Sequence, residues 1–389
     1  MSSWLLAFAS GQKVGLFSGD VSGAFDNVDS ARLCSKLRLL GVFHRIVDVI
    51  DSWLQPRTAR VILDGSASDE IGMTNMVFQG TVWGPCLWNC YFADARFAIR
   101  DAGFTEIVYA DDLNAFKLFG NWQDNDMITE ELVDVQRELH QWGAANRVVF
   151  DASKEHHTIL SRADPLGDDF RLLGIEFDCK LLMHVAIREV VTEASRRVKA
   201  LLKTQRYYSK QQLIILYKQQ ILSYIEYRTP AIAHACSSLL ASLDRIQVNF
   251  RSGIGITDHE ALLVFYLAPL AMSKDVAMLG VIQRAVLKAG PDQIERFFEF
   301  GSPPARLGGH AWHSRHLRDP YRALNKDYLN RSLLGYVAIY NLLPERVVRA
   351  LDVHAFQSQC QWYAKGQIMN PNWRDTFSAR VPLHNHPLR

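Results

Sequence analysis

Val-Tyr-Ala-Asp-Asp, at residues 108–112, places two adjacent carboxylates inside a stretch that is otherwise apolar. Apolar residues on both sides predict a strand, a tight turn and a second strand, with Asp111 and Asp112 at the tip. Adjacent carboxylates repel each other, and burying a charge without a partner is costly. A divalent cation is the natural partner, and ligands that are all oxygen favour Mg²⁺ or Mn²⁺. On this stretch alone, an acidic hairpin turn without a metal is the alternative.

A third acid follows an earlier strand pattern. Residues 14–19 form a short strand that runs into Asp20. Carboxylates on neighbouring strand ends could hold two metal ions about 4 Å apart, which is the geometry used for in-line phosphoryl transfer. The sequence therefore predicts that Asp20, Asp111 and Asp112 lie together in one site.

Between these acids lies Gln-Gly-Thr-Val-Trp-Gly-Pro, at residues 79–85, followed by an apolar stretch. Pro85 suits the first turn of a helix, and Gly80 and Gly84 allow a ligand to approach the backbone closely. We predict one helix that begins at Pro85 and ends near Gly103.

Three motifs in this order resemble the palm motifs of reverse transcriptases. They are Asp-x-x-x-Ala-Phe-Asp at residues 20–26, Gln-Gly-x-x-x-x-Pro-x-Leu-x-Asn at residues 79–89 and Tyr-Ala-Asp-Asp at residues 109–112. The nearest resemblance is to the non-LTR (long interspersed element-type) retrotransposon group. It implies an α+β fold: a right-hand polymerase palm of antiparallel sheet with packed helices, then a helical thumb and a helical C-terminal tail. The implied activity is RNA-directed DNA synthesis on an RNA template, from a DNA primer and deoxynucleoside triphosphates.

The resemblance also implies domain limits and metal ligands. The palm would cover residues 1–183, the thumb and connection 184–300, and the tail 301–389. Asp20, Asp111 and Asp112 would be catalytic. Together with the backbone carbonyl of Val21, they would hold two Mg²⁺ or Mn²⁺ ions.

Further residues match positions that contact substrates in the resembled family. The implied nucleotide contacts are Phe25, Gln79, Gly80, Tyr109 and Lys154. Phe25 would exclude a 2′-hydroxyl from the sugar pocket, and a role as a core aromatic is the alternative. Lys154 would approach the incoming nucleotide, although a lone exposed lysine is often only solvated. Leu173 and Gly174 match a hairpin that helps to hold the primer strand.

Residues 188–228 contain nine basic residues against three glutamates, with five tyrosines interleaved. Basic and aromatic residues together suit a nucleic-acid groove. Four cations at helical spacing are predicted to contact the phosphates of primer and template, and these are Arg196, Lys199, Lys203 and Arg206. The alternative is a helical surface whose charges are only solvated.

Composition narrows the class of protein. The chain has 389 residues, of which 48% are hydrophobic and 22% charged, and its net charge is only +2, so any nucleic-acid surface must come from local patches. Its six cysteines lack paired spacing, which argues against a disulfide framework or a zinc knuckle and indicates a reducing compartment. No apolar run is long enough to span a bilayer, and the N-terminus is a poor signal peptide. The resemblance implies an intracellular, nuclear location.

Only 19 residues precede Asp20. The resembled family has a fingers region there, so we expect an N-terminally truncated form that binds Mg²⁺ and primer-template but extends primers weakly or not at all. A decayed fragment that retains only nucleic-acid binding is the alternative. A metal-dependent nuclease would need an added general base near the acids, and the sequence offers no candidate.

Three other patterns carry predictions. Residues 126–145 carry a single apolar stripe and predict an amphipathic helix. Residues 301–309, rich in glycine and proline, are the best candidate for a linker. His310, His313 and His316 step by three without a cysteine partner, so we predict surface residues rather than a zinc site.

Overall fold

The computed structural model describes residues 1–73, 77–302 and 312–389. These residues form two compact units. The sheet unit is Gly11–Asp168, and the helical unit is Met1–Ser10 together with Asp169–Arg389. The units divide the chain at residue 168, whereas the resemblance predicts functional limits at residues 183 and 300. Those functional limits stay a prediction.

Most of the short strands lie in the sheet unit, where four of them form one larger sheet, and the last two lie in the helical unit. In chain order the strands are β1 (Lys13–Asp20), β2 (Arg57–Ala59), β3 (Ile62–Leu63), β4 (Ser66–Ala67), β5 (Ile71–Met73), β6 (Thr105–Tyr109), β7 (Asp112–Phe119), β8 (His156–Leu160), β9 (Phe170–Leu172) and β10 (Ile175–Phe177). The large sheet has the order β6-β7-β1-β8, and every pair in it is antiparallel. Central β1 is buried along most of its length, as expected for a strand covered on both faces.

Helices make up most of the remaining chain. They are α1 (Ser2–Ala9), α2 (Ser30–Leu39), α3 (His44–Trp53), α4 (Gly84–Phe92), α5 (Ala95–Asp101), α6 (Asn125–Asn146), α7 (His184–Lys203), α8 (Lys210–Tyr217), α9 (Ser223–Ile232), α10 (Ser237–Ile254), α11 (Asp258–Leu263), α12 (Leu270–Val286), α13 (Asp292–Glu295), α14 (Asp327–Arg331), α15 (Tyr336–Tyr340), α16 (Glu345–Val348) and α17 (Val353–Gly366). Antiparallel sheet packed with helices, followed by a helical region, confirms the predicted α+β class.

Helix α6 confirms the amphipathic prediction for residues 126–145. It begins after Asp124, whose carboxylate accepts a hydrogen bond from the backbone N–H of Met127, a stabilising helix cap. It buries Ile128, Leu132, Val135 and Leu139 in the core that it shares with the sheet. Apolar residues at this spacing share one helix face, so the stripe alone predicts the buried side.

The helix predicted from Pro85 to near Gly103 is wrong in its length, because the chain forms α4 and α5 instead. The Lys36 Nζ group of α2 lies 2.6 Å from the Tyr91 carbonyl oxygen at the end of α4, and 2.7 Å from an Asp94 carboxylate oxygen. A lysine that binds the last carbonyls stabilises a helix end. Lys36 is more than 50 positions away in the chain, so local sequence does not reveal this contact at the end of α4.

The helical unit is built around α12, which packs against α9, α10, α15 and α17. Because neighbours surround α12, even its charged Lys274 and Asp275 are buried. Each has a partner: Lys274 pairs with Asp244 at 2.7 Å, and Asp275 accepts a hydrogen bond from the Tyr336 hydroxyl at 2.5 Å. Such partners offset the cost of burying charge.

The C-terminal histidines depart from the prediction of a wholly exposed cluster. His313 is buried, and its Nε2 atom lies 2.9 Å from the Tyr340 carbonyl oxygen. A histidine that packs in this way serves the core, so the surface prediction is wrong for His313. His310 and most of the predicted linker lie outside the described residues. Among the described helices, none has both the length and the apolar character needed to cross a bilayer.

Candidate functional site

The register of the central sheet brings the predicted acids to one end of it. Strands β1 and β7 pair so that Asp20 stands directly opposite Asp112. Asp111 lies in the turn between β6 and β7, directly before Asp112, which begins β7. Residues directly opposite in an antiparallel pair lie only about 4.5–5.5 Å apart. Two strands distant in sequence thus bring three acidic residues to one end of the sheet.

The turn that carries Asp111 has an unusual backbone. Ala110 has a φ of 57°, in the left-handed region that non-glycine residues rarely adopt. The indole N–H of Trp88, on α4, donates a hydrogen bond of 2.9 Å to the Ala110 carbonyl. Trp88 is fully buried, and a buried indole requires an acceptor. Trp88 therefore positions the acidic turn, a role that sequence analysis missed.

Electrostatics at the strand ends favour a cation. Burial raises the pKa of the Asp112 carboxyl, and the negative charges of Asp111 and Asp20 raise it further. A carboxylate that is costly to ionise among other carboxylates gains most when a positive charge joins them. These oxygen donors suit Mg²⁺ or Mn²⁺. In the described chain, however, no three His, Cys, Asp or Glu side chains are already arranged as a metal-ligand group.

A lysine supplies positive charge at this site. Lys154 Nζ lies 2.5 Å from an Asp20 carboxylate oxygen and 3.8 Å from one of Asp151. The Asp20 carboxylate raises the pKa of the Lys154 ammonium. The sequence predicts that Lys154 contacts a nucleotide, whereas here its partner is a predicted metal ligand.

The loop of Lys154 is fixed from both sides. The Asp151 N–H donates to the Asp20 carbonyl at 2.9 Å, and an Asp151 carboxylate oxygen accepts from the Ser153 hydroxyl at 2.6 Å. The neighbouring Glu155 accepts from Gln136 and pairs with His140, both at 2.6 Å. Sequence analysis missed these supports, because none belongs to a motif and α6 supplies two of them.

The remaining predicted nucleotide contacts are all in the sheet unit. Phe25 is half-buried and its ring stacks on Trp88, with centroids 6.1 Å apart. The Gln79 amide nitrogen lies 3.3 Å from a carboxylate oxygen of Asp26. Gly80 has a φ of 78°, which glycine adopts readily. Tyr109, at the end of β6, is exposed.

In the helical unit, the predicted primer hairpin forms as β9 and β10 around a turn at Leu173 and Gly174. Both turn residues have positive φ angles, 48° and 74°. The Tyr227 hydroxyl, on α9, donates a hydrogen bond of 2.9 Å to the Leu173 carbonyl. Arg171 joins the hairpin to α7 through Glu189, at 3.0 Å. The hairpin therefore contacts two neighbouring helices, α9 through its turn and α7 through β9.

The four predicted cations of the helical unit are exposed but not equivalent. Arg196 forms an ion pair with Glu193, one turn earlier on α7, at 2.8 Å. Hydrogen bonds from Arg196 and Arg197 lower the pKa of Glu193 to about 2. Lys199 and Lys203 form no ion pair with any described residue. Arg206 lies over the Tyr207 ring, 4.7 Å from its centroid.

Comparison with known proteins identifies part of the chain. No curated protein matches the sequence. One similar solved structure is a telomerase from Candida albicans, in complex with a TWJ fragment of telomeric RNA. It shares 11% identity with this chain at a TM-score of 0.34, over 64% of this chain and 49% of that one. This chain thus spans about half the length of the telomerase chain. Residues 5–177 match the family model described as reverse transcriptase (RNA-dependent DNA polymerase), so this stretch is a reverse transcriptase domain.

Proposed function

We propose that the chain is an RNA-directed DNA polymerase of the non-LTR retrotransposon type, which acts by two-metal nucleotidyl transfer. The observation that carries the proposal is the pairing of Asp20 with Asp112 beside Asp111. It lies inside residues 5–177, the stretch that matches the reverse transcriptase family. A retroelement enzyme of this kind would work in the nucleus.

Three side chains and one carbonyl would hold the metal ions. They are the carboxylates of Asp20, Asp111 and Asp112 and the backbone carbonyl of Val21. Bound Mg²⁺ would lower the pKa of the primer 3′-hydroxyl and neutralise charge on the triphosphate and the leaving pyrophosphate. The raised pKa of Asp112 supports this assignment, because burial and the neighbouring charges of Asp111 and Asp20 make its ionised form costly unless a cation joins them.

Lys154 has one partner in the structure, Asp20, and a second possible partner in the triphosphate of a bound nucleotide. It pairs with Asp20, which also raises the pKa of its ammonium, so it keeps its proton at neutral pH. Cations bound by the three acids would weaken this ion pair, because the charge on Asp20 would already be balanced. Lys154 could then contact the triphosphate, where an ammonium stabilises charge on the leaving group.

Residues around the acids would orient the nucleotide. Phe25, packed on Trp88, would stand beside the sugar and exclude a 2′-hydroxyl. Gln79, Gly80 and Tyr109 would line the nucleotide and template. In the helical unit, the hairpin turn at Leu173 and Gly174 would contact the primer. Phosphate contacts would come from Arg196, Lys199, Lys203 and Arg206.

Primer extension tests the proposal directly. The full chain, a DNA primer and an RNA template are mixed with deoxynucleoside triphosphates and Mg²⁺, and a DNA template serves as the second arm. We expect extension on RNA that stops when EDTA is added. Complete lack of extension on both templates, by folded protein that binds primer-template, would contradict the proposal.

A specific observation favours a second candidate, an inactive fragment that retains only nucleic-acid binding. Lys154 already balances Asp20, and the described acids do not form a complete ligand group. Under this hypothesis, Mg²⁺ would leave the thermal stability of the protein unchanged and no primer would be extended. The polymerase hypothesis requires both a Mg²⁺-dependent rise in melting temperature and extension.

A further inference from the structure

A cavity of about 300 Å³, lined by both polar and apolar residues, lies in the helical unit and contains none of the residues assigned above. It opens between α9, α12, α17 and the π-helical turn Lys218–Leu222. A second cavity, of about 100 Å³, adjoins it and shares Tyr266 and Gln361. The larger volume is at the lower end of the ~300–1,000 Å³ typical of sites for small ligands. It could take one flat ring system.

The lining of the larger cavity combines polar groups, which can hydrogen-bond with the edge of a flat ring, with apolar groups, which can cover the faces of the ring. Gln357, Gln361, Ser273 and Glu226 contribute amide, hydroxyl and carboxyl groups, and Met272 is among the apolar lining residues. An amide offers a donor and an acceptor together. Such pairs read the hydrogen-bonding edge of a nucleobase, while apolar side chains cover its faces.

Several of these polar groups have no partner within the described chain. Gln357, Gln361 and Glu226 make no hydrogen bond to another described residue, and Glu226 forms no ion pair with Lys218 on the same cavity. Burial raises the pKa of the Glu226 carboxyl. Gln357 and Glu226 are partly buried and Gln361 is exposed, and their side chains have no hydrogen-bond partner in the described chain. These therefore remain available to a ligand.

Exposed rings and a lysine without an acidic partner in the described chain flank the cavities; the Lys365 ammonium donates only to the Leu263 carbonyl, at 3.4 Å. Trp362 and Tyr266 are 65% and 52% exposed. Lys365 Nζ lies 3.1 Å from the centroid of the Tyr266 ring and has no acidic partner among the described residues. Exposed aromatic rings stack on bases of any sequence, and lysines bind the phosphates between them.

Backbone geometry marks the same place. Tyr266 has a φ of 54°, in the left-handed region that is costly for a residue with a side chain. Lys218 begins the π-helical turn, and its ammonium donates hydrogen bonds to the carbonyls of Phe265 and Tyr266, at 2.9 and 3.1 Å. π-Helical turns and strained residues occur often at functional sites.

We propose that this surface, defined by Tyr266, Gln357, Gln361, Trp362 and Lys365, binds an unpaired segment of single-stranded nucleic acid. One base enters the larger cavity and meets the two glutamine amides. A neighbouring base stacks on Trp362, and the phosphate between the two bases contacts Lys365. A base in a duplex cannot enter, because its edge is paired. The site uses none of the residues proposed for catalysis.

Photocrosslinking locates the site on the unmodified full chain. The probes are 12-nucleotide strands, (rU)₁₂ and (dT)₁₂, each with 5-iodouracil at a central position. We expect a covalent link to the peptide that contains Trp362 or to the one that contains Tyr266. A 12-base-pair duplex should compete poorly for this link. Links confined to other peptides would overturn the proposal.

Affinity measurements separate the contributions of the side chains. Trp362→Ala should weaken binding of the labelled single strands by about 5- to 150-fold, the equivalent of ~1–3 kcal/mol for one stacked base. Trp122→Ala removes an exposed tryptophan from the sheet unit and is the matched control, with no expected change. Lys365→Gln should reduce the slope of log affinity against log salt by about one unit. Equal effects of Trp362→Ala and Trp122→Ala would overturn the proposal.

Further measurements test whether this binding is independent of the proposed polymerase site and whether it recognises bases. Asp111→Asn should bind the single strands as the native protein does, even if it cannot extend a primer. The RNA and DNA arms show which kind of strand binds more tightly. A 12-residue poly-glutamate peptide that displaces the strands with equal affinity would show that the surface recognises charge alone, and would overturn base recognition.

Discussion

The sheet unit and the helical unit each contain a basic residue that the sequence predicts to contact a substrate, the incoming nucleotide for Lys154 and the primer-template for Arg196, and the structure pairs each with a carboxylate. In the sheet unit, Lys154 pairs with Asp20, 134 positions away in the chain and itself a predicted metal ligand. In the helical unit, Arg196 pairs with Glu193, one turn away on an exposed helix. The first pair joins two functional candidates, whereas the second is a local surface contact.

The two ion pairs differ in what a bound ligand would have to displace. Exposed ion pairs contribute only ~0–1 kcal/mol, so Arg196 could exchange Glu193 for a phosphate at little cost. The Lys154–Asp20 pair lies near two more carboxylates, so a metal ion at the proposed site would compete with Lys154 for the Asp20 oxygen atoms. A cation within a motif is therefore informative only when its partner in the folded chain is known.

The largest expected effect comes from removing one acid of the sheet unit. Asp111→Asn and Asp20→Asn should each lower the single-turnover extension rate by at least about 10²–10³-fold, because a neutral amide cannot balance divalent ions. Asp64→Asn, in the exposed hairpin turn between β3 and β4, is the control. Circular dichroism should show an intact fold. Substantial extension by either acid variant at saturating Mg²⁺ would break the proposed site.

A smaller change is expected from Phe25, which lies between the core and the proposed sugar pocket. Phe25→Val should raise the ratio of ribonucleotide to deoxynucleotide incorporation by roughly 10-fold, because a shorter side chain admits a 2′-hydroxyl. Single-turnover extension with each nucleotide measures the ratio. An unchanged ratio with lower thermal stability would assign Phe25 to packing on Trp88 alone.

In the helical unit, the structure predicts that the basic residues differ from one another. Lys199→Ala with Lys203→Ala should lower the slope of log affinity against log salt for a primer-template duplex by about two units. Arg196→Ala should lower it by less than one, because Glu193 already neutralises part of its charge. Fluorescence anisotropy at several salt concentrations gives the slopes. Equal slopes for all variants would leave these charges as a solvated surface.

The smallest effect concerns pH. The folded state raises the pKa of Asp112, so it binds this proton more tightly than the unfolded chain does. Ionisation of Asp112 therefore lowers stability as pH rises above its unfolded pKa. Asp112→Asn, in EDTA, should raise the melting temperature by roughly 1–3 °C at neutral pH, and this gain should vanish in acid.

Adding Mg²⁺ to the same melting experiments distinguishes the native protein from Asp112→Asn. It should stabilise the native protein but not Asp112→Asn, and its affinity should decrease as pH falls through the pKa of Asp112, because protons and metal compete. Asp69→Asn, in the exposed segment between β4 and β5, is the control for charge alone. Melting curves at several pH values with and without Mg²⁺ provide the readout. A loss of stability in Asp112→Asn at neutral pH would contradict the raised pKa.

Local patterns in the sequence determined the strands, the turns and the class of the fold. Strict spacing of apolar residues predicted α6, and the alternation before Asp20, with the two acids between apolar stretches, predicted β1 and the β6–β7 hairpin. These features depend on near neighbours, whose effect on backbone conformation acts within a few residues. The motifs of residues 20–26, 79–89 and 109–112 likewise indicated the reverse transcriptase family before any contact was known.

Tertiary structure alone decided which side chains meet. It forms the ion pair between Lys154 and Asp20 and the hydrogen bond from the Trp88 indole to the Ala110 carbonyl. It also brings the Lys36 ammonium to the carbonyl of Tyr91, near the end of α4. It also joined the π-helical turn, α12 and α17 around a cavity that no motif marks. Such contacts link positions tens to more than a hundred residues apart, and their energies depend on distance and burial. Neither quantity is encoded in local spacing, so both become known only when the chain is folded.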